Sequence, residues 1–169
     1  TDAHDFFNNI IKDLNAEKID YIICGGVAVV LHGVERLTMD IDLSLDMTEN
    51  NIKKFLAIMK NHNMVPRAPI PPESLLDKEL RKAIVDEKGA VVFTFIDSKN
   101  PYKQVDLFLT DDLSFSELEN HCIEISYDAD SKTKILSIDK LIDLKSNVDP
   151  KRQKDIFDVI ELKKLKENQ

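Results

Sequence analysis

The stretch that most limits how this chain can fold runs from residue 21 to residue 45. A short apolar run ending at Cys24 meets Gly25-Gly26, an apolar helical stretch follows over 27–31, and the chain turns at Gly33. It then re-enters an alternating run, Asp40-Ile41-Asp42-Leu43-Ser44-Leu45. Side chains alternate along a strand, so Asp40 and Asp42 share one face while Ile41, Leu43 and Leu45 take the other. Glycines let a backbone approach a phosphate closely, and the start of the next helix presents free N–H groups. Two carboxylates at i, i+2 can hold a hard divalent cation together with substrate phosphates. Taken alone, the Gly pair also suits a tight turn, and the two Asp suit a solvent-facing strand. The pair is neither a Walker loop nor a dinucleotide fingerprint, since no Gly-Lys-Ser/Thr or Gly-x-Gly-x-x-Gly is present.

Around this stretch the periodicity alternates between helix and strand. Phe6, Phe7, Ile10, Ile11 and Leu14 give residues 3–17 a helical stripe suited to covering a sheet. Residues 19–24 and 38–45 read as strands, and 25–32 as a buried helix. A helix follows over 49–62, with Thr48 as N-cap and Ile52, Phe55, Leu56 and Met59 inward. Pro66, Pro69, Pro71 and Pro72 mark a bent loop. Residues 73–84 read as a helix with Leu76, Leu80, Ala83 and Ile84 on one side. Residues 90–96 and 104–109 read as an antiparallel pair joined by the turn at 97–101. A short helix over 115–119 and strands over 122–127 and 133–136 come next. Ser137 or Asp139 caps a helix carrying Leu141, Ile142 and Leu144. Val148-Asp149-Pro150 breaks it, and a last helix over 151–166 has Ile156, Val159, Ile160 and Leu162 as its apolar stripe.

Val105-Asp106-Leu107 is the oddest strand, because an Asp inside an apolar run is disfavoured by propensity and desolvation. Either it faces solvent, or it lies beside Asp40 and Asp42. Three converging carboxylates would repel one another unless cations neutralise them. Near the C-terminus Lys145, Arg152, Lys154, Asp155 and Asp158 are either triphosphate clamps or a solvated helix face with pairs such as Lys154 with Asp158. On charge patterning the solvated face is the better reading. His4, His32, His62 and His121 are scattered without ligand spacing and read as structural or exposed.

Composition narrows the class. With 169 residues, 43% hydrophobic and 32% charged, the chain can bury a real core as a soluble domain. It has no transmembrane-length apolar run and no signal pattern at its polar start. Cys24 and Cys122 lack metal spacing and read as reduced thiols in a cytoplasm. The net charge of −8 opposes non-specific nucleic-acid binding.

Together, Gly25-Gly26, Asp40-Ile41-Asp42 and Asp106 resemble the signature of the nucleotidyltransferase superfamily, the polymerase-beta-like minimal fold. The chain looks most like the AbiEii/AbiGii toxin-type group. That closer likeness rests on Gly-Gly-x-Ala and Arg-x-Thr-x-Asp-Ile-Asp-Leu (25–28 and 36–43), with Leu-Ile-x-Leu-Lys and Arg-x-Lys-Asp-x-x-Asp (141–145 and 152–158). The resemblance implies an α+β fold, a mixed β-sheet flanked by helices with further C-terminal helices. Residues 1–136 would form the core and 137–169 a helical segment packed on it, one domain overall. It implies that Asp40, Asp42 and Asp106 are catalytic and bind Mg²⁺ (or Mn²⁺), with Asp106 the third ligand or the base for the acceptor hydroxyl. Gly25 and Gly26 would cradle the nucleotide phosphates, and Lys145 would be catalytic through contact with the triphosphate. Arg36, Thr38, Arg152 and Asp155 would complete the nucleotide site. Gly26 stands where many members carry Ser, which removes a hydroxyl contact and keeps the backbone donors.

The expected activity is transfer of a nucleoside monophosphate from a nucleoside triphosphate to a hydroxyl on RNA, a protein or a small molecule, with a cognate antitoxin as a possible partner and no membrane. The alternatives are an inactive nucleotide- or partner-binding module of the same fold and, ranked last for want of a His-rich cluster, a phosphohydrolase.

Overall fold

A computed structural model describes residues 2–169, with side chains from residue 5 onward. Seven strands form one mixed sheet: β1 (Tyr21–Ile23), β2 (Asp40–Leu45), β3 (Met64–Pro66), β4 (Val92–Asp97), β5 (Gln104–Phe108), β6 (Cys122–Ser126) and β7 (Lys132–Leu136). Their order is β3-β4-β5-β2-β1-β7-β6. Two pairings, β2 with β5 and β1 with β7, are parallel; the others are antiparallel. Seven α-helices surround the sheet: α1 (Asp2–Ala16), α2 (Gly26–Leu31), α3 (Glu49–Asn61), α4 (Lys78–Lys88), α5 (Phe115–Leu118), α6 (Ile138–Ser146) and α7 (Gln153–Glu167). The α+β class, the mixed sheet and the C-terminal helices are as expected. No helix among the described residues is long and apolar enough to cross a membrane.

Alternation along the central strands separates the two faces. Ile41, Leu43, Val105, Leu107, Phe93 and Phe95 point into one core, where the Phe55 ring of α3 meets Phe95 edge-on at 5.8 Å. The same cluster takes in Ile10, Ile11 and Leu14 of α1, Leu141 of α6 and Leu162 of α7. Asp40, Asp42 and Asp106 occupy the opposite face.

Several local expectations are corrected or refined. The proline segment does not begin as a loop: Met64–Pro66 pairs antiparallel with β4. Pro66 is tolerated because β3 is an edge strand, where a missing N–H leaves no partner stranded. The helix expected over 73–84 is two elements. A 3-10 turn, Pro72–Leu76, precedes α4, and Asp77 caps α4 by accepting from the Glu79 and Leu80 N–H groups. In consequence Leu75 is fully buried and Leu80 is exposed. Thr48 does sit at the N-cap of α3, but its side chain makes no capping bond; the Asp46 carboxylate accepts from its N–H instead. Ser137, not Asp139, caps α6, accepting from the Lys140 N–H.

The largest correction is α7. Ile156 and Ile160, read as its buried stripe, are about half exposed at 48% and 49%, while Asp155 and Asp158 are at 1% and 0%. The helix turns its acidic residues inward, with Leu162 one further turn along the same face. What sits opposite explains this orientation.

His32 and His62 hold structural roles, with Nε2 2.7 Å from the Leu136 carbonyl and 2.6 Å from the Asp13 carboxylate respectively. His121 is exposed, and the His4 side chain lies outside the described residues. Both cysteines are free thiols.

Candidate functional site

Strand register assembles the acidic half of the site. Asp42 is the direct partner of Asp106 across the parallel β2–β5 pairing, and Asp40 lies opposite Gln104. Thr94 is the partner of Asp106 on its other side. Paired residues share a face, so Asp42, Asp106 and Thr94 form one row, with Asp40 two residues along. Thr94 Oγ1 donates to Asp106 Oδ1 at 2.5 Å. Asp106 is therefore oriented inside the site and does not simply face solvent.

Burial, followed by the charges of Asp106 and Asp40 and a hydrogen bond with Asp106, pushes the Asp42 carboxyl up to about 7, against a smaller opposing pull from Lys145. Asp40 is also raised, chiefly by burial and then by Asp106, with Lys154, Arg67 and Arg152 pulling the other way. Such a cluster binds a proton or a cation at neutral pH. Its donors are all carboxylate oxygens, the set suited to Mg²⁺ or Mn²⁺ when substrate phosphates complete the shell. In the present rotamers no three acidic, His or Cys side chains among the described residues close on one ligand point. Asp106 is turned onto Thr94, so the fit lies in donor chemistry and register.

The two glycines make room for the chain's own side chains. A Cβ on Gly25 would fall on Asp42 Oδ2, and one on Gly26 would lie 2.5 Å from Arg36 Nη2 and 2.9 Å from Thr38 Oγ1. Gly25 therefore lets the Asp42 carboxylate seat against the backbone, and Gly26 does the same for the Arg36 guanidinium. The α2 helix that follows is only six residues long.

Gly25→Ala is expected to displace the Asp42 carboxylate, lowering any metal-dependent activity about 100-fold or more. Stability should fall by about 1–3 kcal/mol. Rate assays beside urea melts check this; full activity in a folded variant would show that the seat is not needed.

The basic half comes from α6, α7 and the segment before β2. Asp158 lies 2.9 Å from Arg36 Nε, accepts from Arg36 Nη2 at 3.1 Å, and meets Lys145 Nζ at 2.9 Å. Asp155 accepts from Arg152 Nε at 2.9 Å and Nη2 at 3.2 Å, and lies 3.6 Å from Lys145. Burial pushes the Asp155 carboxyl up, but hydrogen bonds from Arg152 and the charges of Arg152 and Lys145 outweigh it and hold it low. Three cations against two carboxylates leave an excess of one positive charge beside the carboxylate row. These pairings decide how α7 lies: burying two carboxylates against three cations outweighs burying Ile156 and Ile160. The solvated-face reading is corrected accordingly, since Asp158 pairs with Arg36 and Lys145 rather than Lys154.

No family model and no curated protein matches the sequence. A solved structure does match the fold: the lincosamide antibiotic adenylyltransferase LnuA, crystallised with lincomycin bound. It aligns over 95% of this chain and 96% of its own, with a TM-score of 0.62 and 18% sequence identity. The fold is that of a nucleotidyltransferase. In this nucleotidyltransferase fold Asp40, Asp42, Asp106 and Thr94 share one sheet face. Gly25, Gly26, Arg36 and Thr38 lie next to it at the α2 end, and Lys145, Arg152 and Asp155 approach from the C-terminal helices.

Sequence reasoning passed over Thr94 and undervalued Asp158. Thr94 sits at an ordinary alternating position and becomes distinctive only through its register with Asp106. Asp158 had a usable signal. Apolar residues lie all round α7, so no single stripe defines its inner face, whereas Asp155 and Asp158 at i, i+3 share one side.

Proposed function

We propose that this protein is a metal-dependent nucleotidyltransferase that moves a nucleoside monophosphate from a nucleoside triphosphate onto a hydroxyl of a small molecule. The observation that carries the reading is the Asp42–Asp106 register next to the Arg36/Lys145/Arg152 cluster. One half suits a hard cation, and the other suits a triphosphate. LnuA is named as an adenylyltransferase of an antibiotic, which favours ATP as donor and a compact hydroxylated acceptor.

The reaction is in-line displacement at the α-phosphorus. The acceptor oxygen forms a bond to phosphorus, the bond to the bridging oxygen breaks, and pyrophosphate leaves. Asp106, steered by Thr94 through Oδ1, takes the hydroxyl proton on its other oxygen. Lys145, Arg152 and Arg36 hold the triphosphate by charge and hydrogen bonds. Asp40 and Asp42, joined by Asp106 where it does not serve as the base, would hold Mg²⁺ or Mn²⁺, which when bound supplies neutralisation of the charge on the attacking and leaving oxygens. Positioning and fixed charge account for most of the rate.

The test is incubation with α-labelled ATP, Mg²⁺ and a panel of hydroxylated small molecules. Labelled acceptor with stoichiometric pyrophosphate supports transfer. Phosphate release without labelled acceptor favours hydrolysis, and absence of metal-dependent nucleotide binding favours an inactive module. The narrower likeness to AbiEii/AbiGii toxin-type proteins rests on the two sequence stretches alone. The RNA or protein acceptors and the antitoxin it would bring are tested by asking which fraction of a cell lysate takes up label.

A further inference from the structure

We propose that the acceptor lies on the open half of the carboxylate face, over Ile96 and Val65, and that it is a small hydroxylated molecule with one apolar side and no anionic group. The word acceptor rests on the transferase reading; the position and the ligand chemistry rest on the sheet. Register places the side chains. Asp40 is opposite Gln104, Gln104 is opposite Ile96, and Ile96 is opposite Val65. Paired residues share a face, so Asp40, Gln104, Ile96 and Val65 form a row alongside Asp42, Asp106 and Thr94. This face is closed toward β1 and open toward β3. Ile22, opposite Ser44, and Cys24, whose N–H bonds the Asp42 carbonyl, are 0% and 3% exposed. At the other end Val65 is 43% exposed and Ile96 half-buried. Neither belongs to the buried core or to the apolar side chains packed against it.

Continuity with the site names the occupant. Asp106, which takes the hydroxyl proton in the proposed reaction, is one strand from Ile96 and two from Val65. Adjacent strands lie about 4.8 Å apart, so a hydroxyl at Asp106 leaves about 10 Å of floor, enough for a molecule of one or two rings. The triphosphate cations sit at the other end of the row, with Arg36 against Gly26 and Lys145 sharing Asp158 with it. Donor and acceptor would thus meet the carboxylates from different directions, as in-line displacement requires. Val65 and Ile96 supply apolar contact without direction. The Gln104 amide, which makes no hydrogen bond among the described residues, offers donors and an acceptor to a hydroxyl. The strip has no cation to spare for an anion. Arg67, the residue after β3, donates its N–H to the Thr94 carbonyl, and its charge acts on Asp40.

Two probes with one saturated ring test this: trans-1,4-cyclohexanediol and trans-4-hydroxycyclohexanecarboxylate. Each is titrated into the whole protein, without nucleotide or metal, while the Val65, Ile96 and Ile84 methyl signals are followed by NMR. The diol should move Val65 and Ile96 and leave Ile84, buried in the core on the opposite face, where it is; the carboxylate should bind no more tightly. Ile96→Asn should weaken the diol about threefold or more, and Val65→Asn, at an exposed edge position, should do the same. Tighter binding of the carboxylate overturns the proposal, as does the absence of Val65 and Ile96 shifts with either probe at high millimolar concentration. Movement of Val65 by α,β-methylene-ATP with Mg²⁺ would give this surface to the donor and overturn it too. If that analogue does not bind, the transferase reading fails, and the diol titration still decides whether the surface is a ligand site. Transfer with the same acceptor KM in Ile96→Asn and wild type removes the acceptor assignment alone.

Discussion

Replacing Asp158 with Ala should destabilise the protein by about 3–5 kcal/mol, because it leaves buried cations without their counter-ion. The side chains of Arg36 and Lys145 are only 15% and 11% exposed, and Asp158 is at 0%. Without Asp158 the two cations confront each other, with Lys145 left only its longer contact to Asp155. Urea melts should show the loss, and the thermal midpoint should drop by about 10 °C or more for a chain of this size. Asp158→Asn keeps the shape but loses the charge, and should fall between wild type and Ala. A matched control is Lys53→Ala, which breaks an exposed, solvent-screened pair with Glu49 and should leave the urea midpoint essentially unchanged. A loss at Asp158 no larger than at Lys53 would mean the buried cluster does not hold α7 in place.

Asp42→Asn should have the opposite effect on stability and a severe one on function. The folded Asp42 carboxyl is raised from 3.8 to about 7, so between those values the folded protein binds more protons than the unfolded chain. Stability contributed by this site is present near pH 4, declines as pH rises toward 7, and stays low above it. Asn carries no charge, so the variant should be more stable than wild type at pH 8, with the gap closing near pH 4. Asp106→Asn removes a charge that helps push the Asp42 carboxyl up, so the pH dependence should shrink in that variant. On the proposed mechanism transfer should fall about 1,000-fold or more in Asp42→Asn, since Asp42 would help hold the cation beside the triphosphate. Adding Mg²⁺ at pH 8 should raise the urea midpoint of wild type and leave that of Asp42→Asn unmoved. A variant less stable than wild type at pH 8 would sink the account of carboxylate crowding.

Much of the acidic half was legible in the sequence because strand alternation is rigid. Once residues 40–45 are a strand, Asp40 and Asp42 must share a face, and an Asp inside Val105-Asp106-Leu107 asks for a partner. What residues alone could not supply is register: nothing local says that Asp42 pairs with Asp106 rather than Gln104. Turn chemistry hid β3, because proline is excluded from central strands but permitted at an edge. α7 was misread for a different reason. Hydrophobic periodicity assumes that water is the only competitor for polar side chains, and here Arg36, more than a hundred residues away in sequence, competes for Asp158. The same long-range contact explains Gly26, whose missing side chain serves a guanidinium that follows ten residues later.

The parallel pairings have a kinetic consequence. Asp42 meets Asp106 across 64 residues of chain, and Ile23 meets Ile135 across 112. Closing such loops costs entropy before any contact repays it, so these pairings form late relative to the local β4–β5 and β6–β7 hairpins. The crowding of carboxylates is thus met only as the central sheet closes. The local hairpins carry none of that repulsion, so it should slow only the closing of the central sheet, a delay that acid or a divalent cation should shorten.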